Sequence, residues 1–151
     1  MGYCYMKQVS QAPWQEWVRY AKNDLDVSVR EMDRECSPRH RLYEVILMHC
    51  QQSAEKILKA YVIKTNPCIN PKVFSHDLEA VRMECEKSNK KFNSSRLIKH
   101  ISYLSAFISA RYPNFSFSID SSHAKRGIHS AKRIYDFVSV QLGLEKEYFR
   151  D

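Results

Sequence analysis

Apolar residues recur every three or four positions along most of this chain, and very little interrupts them. From Trp14 they fall at Trp17, Val18, Ala21, Leu25, Val29 and Met32, the spacing that lines one face of an α-helix. Glu16, Arg19, Lys22, Asp26 and Arg30 take the opposite face. Glycine and proline, which punctuate turns, number only three and five in 151 residues. A sandwich or barrel of short strands needs many more turns, so a few long helices are expected instead.

The same pattern divides the chain into five helices. Pro13 suits a first helical turn, where its missing N–H is not needed, and that helix ends before a connection at 34–39. A second helix runs from about residue 43 to 65–66. Its stripe of Tyr43, Ile46, Leu47, Cys50, Ala54, Ile57, Leu58 and Tyr61 is broadened by Val45, Met48, Val62 and Ile63, which predicts a central position. After a loop at 67–74, Ser75 is expected to cap a short third helix reaching about Lys87, with Leu78, Val81 and Met83 inward. Ser94 or Ser95 opens a fourth, which buries Leu97, Ile98, Ile101, Leu104, Ala106, Phe107 and Ile108 and stops at Pro113. The connection 114–120 leads to a cap at 120–122 and a fifth helix burying Ala124, Ile128, Ala131, Ile134, Tyr135, Val138 and Leu142, with Gly143 as its C-terminal cap. The expected fold is all-α: one domain over 1–151, an up-and-down antiparallel bundle of four to five helices. Its core is about 13–143, with flanking tails at 1–12 and 144–151.

Charge and cysteine usage narrow the class of partner. A net charge of +7 points to an anion: a nucleotide, RNA or an acidic protein. Five cysteines without a CxxC pair argue against a disulfide framework or a structural zinc site. No metal and no cofactor are expected. Residues 1–17 lack the apolar stretch of a signal peptide, and no apolar run approaches a membrane span, so a cytoplasmic location is expected.

Four short segments resemble one family, in order. His49-Cys50-Gln51-Gln52-Ser53-Ala54-Glu55-Lys56-Ile57-Leu58-Lys59-Ala60 is similar to the HEPN pattern of paired Gln followed by Ala-Glu-Lys-x-Leu-Lys-Ala. The stretch from Trp17 to Ala21, with Asp24 and Leu25, resembles that family's first helix. Ser75-His76-Asp77-Leu78 resembles the opening of its third. Ala110-Arg111-Tyr112-Pro113-Asn114 resembles the element that closes its fourth. The resemblance spans about residues 14–142. It implies a helical bundle that usually forms a homodimer, of prokaryotic type, often encoded beside a minimal nucleotidyltransferase in a toxin–antitoxin or defence system. It also implies one of two activities: nucleotide or RNA binding, or metal-independent RNA cleavage.

The cleaving members pair an Arg with a His four to six residues later, near the end of the penultimate core helix. The Arg steadies charge on phosphate and the His moves protons near neutral pH. Arg111 stands at the corresponding place, but residues 112–118 hold no His. Arg34 and His40 match the spacing across Pro38, in a connection, which reads as chance. A binding module is therefore favoured over an enzyme; a ribonuclease would need His123 or His129 instead, and a structural protein-interaction subunit without a small ligand is the third reading.

Arg111 is the first candidate for phosphate, because a guanidinium forks onto its oxygens. Beside it, Tyr112 either stacks on a base or packs in the core. Arg126, His129 and Arg133 share a helix face, flanked by Lys125 and Lys132, and form either a phosphate-binding stripe or a solvated basic face. Glu55 and Lys59 have the order of an exposed helical ion pair worth about 0.3–0.5 kcal/mol. His76 and Asp77 read as helix-capping residues.

Overall fold

The computed structural model describes residues 12–113 and 118–146, excluding the side chains of Ala110 and Arg111. Among the described residues there are five α-helices: α1 Trp14–Asp33, α2 Tyr43–Thr65, α3 Leu78–Ser88, α4 Ser95–Ser105 and α5 Ser121–Gln141. Short 3₁₀ turns occupy Pro38–His40, Pro71–Phe74, Lys90–Asn93 and Ile108–Arg111. The expected all-α antiparallel bundle is what forms.

α2 is the central helix. It packs against α1, α3 and α5, while α4 lies along α5 and touches α3. Partners on three sides explain why its apolar band is so wide. Ile46, Leu47, Cys50, Ala54, Ile57 and Leu58 are completely buried. Lys64, at the far end, donates to the Leu142 carbonyl at 2.6 Å and stands over the Trp14 ring at 4.7 Å. It thereby ties the start of α1 to the end of α5. There Gly143 takes a positive φ of 83°, the left-handed cap expected of it.

Gly127 on α5 lies against Leu47 of α2. A β-carbon there would lie 2.3 Å from Leu47 Cδ2, and Leu47 is itself fully buried. Gly127→Val is expected to destabilise the domain by about 2–3 kcal/mol in urea unfolding, through overpacking of the α2–α5 seam. Stability within about 0.5 kcal/mol of the wild type would mean that the helices do not approach so closely.

Three local expectations are corrected. Ser75 does not cap α3. Its backbone has φ 48° and closes the preceding 3₁₀ turn by donating its N–H to the Lys72 carbonyl. The cap is Asp77, whose carboxylate accepts the Ala80 N–H at 3.0 Å. Next, α4 ends at Ser105, well before Pro113. Phe107 leaves helical geometry (φ −103°, ψ 8°) and packs with Leu47 and Ile119 in a small satellite core, leaving Ala106 exposed. Met83, expected inside, is 55% exposed.

Candidate functional site

The contact between α4 and α5 brings a new set of side chains together. On α4, Arg96, Lys99, His100 and Tyr103 are spaced by three, one and three, so they share one face. Arg126, His129 and Arg133 face them from α5. Two surface cavities open between the helices, of about 340 and 590 Å³. The smaller is lined by Lys99, Tyr103, Lys125 and Arg126, the larger by Arg96, Arg133, Phe137 and Lys146. His100 and His129 line both.

The two imidazoles meet edge-on, with ring centroids 5.6 Å apart and planes at 63°. His100 Nδ1 is 3.1 Å from the Ser130 hydroxyl, which orients the ring. Arg126 lies over the Tyr103 ring at 4.5 Å, a cation–π contact that holds the guanidinium at the cavity edge. Burial, then the neighbouring His129, Arg133 and Lys99, holds the His100 imidazole below its ordinary pKa. His129 stays exposed, yet partial desolvation of its ring, then Arg133 and Lys132, does the same to it. A field of this sign attracts anions, and the imidazoles add donors or proton acceptors near neutral pH.

The structure therefore unites Arg126, His129 and Arg133, as their spacing anticipates. His100, Lys99, Arg96 and Lys146 were not anticipated, although the spacing of the first three on α4 carried a readable signal. His123 is placed elsewhere. Its backbone N–H donates to the Asp120 carboxylate at 3.1 Å, and its Nδ1 accepts the Asp120 N–H at 3.2 Å, a reciprocal cap on α5. Tyr112 is 62% exposed, which excludes a core role. Arg111 ends a 3₁₀ turn; its side chain lies outside the described residues, so its approach to the cleft is not among the observed contacts. Arg34 is occupied by Glu31 at 2.8 and 2.9 Å and donates to the His40 carbonyl, a structural use of that pair.

Other chemistries find little support among the described residues. No group of three or more His, Cys, Asp or Glu is placed to hold a metal ion. No helix is long and apolar enough to cross a membrane. Burial pushes the Cys50 thiol up to about 12 and raises Cys85 as well, so neither is a ready nucleophile.

The profile of the HEPN domain matches residues 14–142. The chain belongs to the HEPN family. Among solved structures, the crystal structure of an archaeal HEPN homologue superposes with a TM-score of 0.64 at 18% identity, covering 87% of this chain and 99% of the other. No curated protein matches the sequence.

In this HEPN domain the polar run on α2 has a structural explanation. Glu55 and Lys59 are buried, at 8% and 4% exposure, where an exposed pair was expected. Lys59 Nζ donates to Glu55 at 2.6 Å and to the Ser75 carbonyl at 2.8 Å. The other Glu55 oxygen is 2.9 Å from His76 Nδ1, and Gln51 reaches the His76 carbonyl at 3.4 Å. The second HEPN segment thus staples the third, holding the loop that opens α3. On the α1 side, Asp24 accepts from His49 Nδ1 at 2.8 Å and from Lys56. Burial alone would raise the Asp24 carboxyl, but these two donors outweigh it and hold it below the usual range.

Proposed function

We propose that this HEPN domain binds nucleotide or RNA phosphates in the α4–α5 cleft, through Arg126, His129 and Arg133, with Arg111 and Tyr112 contributing from the end of the 3₁₀ turn after α4. The observation that carries the reading is the convergence of six cationic side chains from α4, α5 and the segment after it on two adjoining cavities, where Asp136 is the only lining carboxylate among the described residues. Tyr103, Phe137 and the exposed Tyr112 offer aromatic faces for bases. Family membership supports a cytoplasmic homodimer that works beside a minimal nucleotidyltransferase, in a toxin–antitoxin or defence setting.

Titration of labelled ATP and of a short single-stranded RNA against the wild type and Arg111→Ala tests this reading. The wild type is expected to bind at least one of the two with an affinity that falls steeply with salt, and Arg111→Ala to bind several-fold more weakly. Failure to bind either at moderate salt removes the reading.

The His100–His129 contact favours a second reading, a metal-independent ribonuclease. One imidazole would take the proton of a 2′-hydroxyl as its oxygen attacks phosphorus. The other, protonated, would give a proton to the departing 5′-oxygen, leaving a 2′,3′-cyclic phosphate and a 5′-hydroxyl. Cleavage that survives EDTA and is lost in His129→Ala but kept in His123→Ala supports it. Several RNAs left intact by the purified protein would remove it.

A further inference from the structure

We propose that His100 and His129 form a proton-linked phosphate site: a phosphodiester of the bound strand is taken up together with a proton shared by the imidazole pair. The proposal rests on the binding reading above and adds the ligand form and the control of affinity.

Among the described residues, His100 and His129 are the only two common to both cavities, so they form the saddle between them. A strand passing from one cavity to the other crosses that saddle. Lys99, Lys125 and Arg126 line the near side, and Arg96, Arg133 and Lys146 the far side. Each side also has one aromatic ring, Tyr103 or Phe137. This arrangement suits successive phosphates of a chain, with a base beside each, better than one compact nucleotide.

Charge supplies the linkage. In the free protein, His100 and His129 face Arg96 and Lys99 on α4, Arg126, Lys132 and Arg133 on α5, and Lys146 beyond it. Asp136, itself buried, is the one carboxylate among the described residues that lines either cavity. Partial desolvation, with His129, Arg133 and Lys99 acting on His100 and Arg133 and Lys132 on His129, favours the neutral imidazoles. A phosphodiester at the saddle places a negative charge beside both rings and favours imidazolium. Binding then takes up a proton, and affinity rises as pH falls from 8 towards 6, by at most about tenfold per pH unit for each proton. The slope flattens once the free imidazoles are themselves protonated.

The test measures anisotropy of a labelled single-stranded RNA without terminal phosphates, whose backbone charge does not change over the range. Affinity is read from pH 5.5 to 8 at constant ionic strength for the wild type and His100→Gln/His129→Gln. Both side chains lie on the cleft wall, and circular dichroism checks that the variant folds. The expected result is about a tenfold or greater gain for the wild type between pH 8 and 6, less than about twofold for the variant, and upward shifts of two histidine ring NMR titrations when RNA is added. Binding that is flat with pH, or equally steep in the variant, overturns the proton linkage and leaves the binding reading standing. Absence of binding at every pH overturns both.

Discussion

Glu55→Leu is expected to lower the unfolding free energy by about 3–5 kcal/mol, because it strands a buried ammonium. Lys59 is 4% exposed, and its remaining contact would be the Ser75 carbonyl at 2.8 Å. The same change releases His76 from its 2.9 Å contact with the carboxylate, loosening the loop that opens α3. The double variant Glu55→Leu/Lys59→Met is expected to recover most of the loss, since apolar groups of similar size fill the site without an unpaired charge. Guanidinium unfolding of the two variants and the wild type is the measurement. A single variant that loses less than about 1 kcal/mol would place this pair in solvent, contrary to the structure.

Arg126→Glu/Arg133→Glu carries the largest expected effect on binding. Both residues are exposed and line different cavities of the cleft, so reversal repels a phosphate strand on both sides of the histidine pair. RNA affinity is expected to fall by at least about 100-fold at about 50 mM salt, and the slope of log affinity against log salt to flatten by about 1.4, roughly 0.7 for each lost phosphate contact. Stability should stay within about 1 kcal/mol of the wild type. An unchanged salt slope, with the fold intact, would move the RNA away from the α4–α5 face.

Much of the bundle was readable because helical periodicity is local. The stripe from Trp14 to Met32, the broad apolar band around Ile57, and Gly143 after the last apolar position each report on a few neighbouring residues. α1, α2 and α5 accordingly begin and end close to where the pattern places them. The errors fall where a distant partner decides. Ser75 was plausible as a cap by residue type, yet Lys59 from α2 holds its carbonyl and Asp77 caps instead. Helix propensity alone would continue α4 past Ser105, but Phe107 is drawn into a cluster with Leu47 and Ile119.

The site divides in the same way. Arg126, His129 and Arg133 were legible because three- and four-residue steps on one helix define a face. The spacing of Arg96, Lys99 and His100 marks one face of α4 but not what that face meets; His100 matters because α4 packs along α5 and sets its ring 5.6 Å from His129. As candidate catalytic histidines His123 and His129 stood level in the chain, and the fold separated them, one into the α5 cap and the other into the cleft.

By itself, then, the sequence determined the helical class, the central helix, the family and the basic face of α5, all of which depend on residue type and spacing within one element. Only the tertiary structure decided that Glu55 and Lys59 are buried and that two histidines 29 residues apart share a saddle between cavities. Burial and convergence are properties of helix pairs, and the side chains that create them lie on different helices.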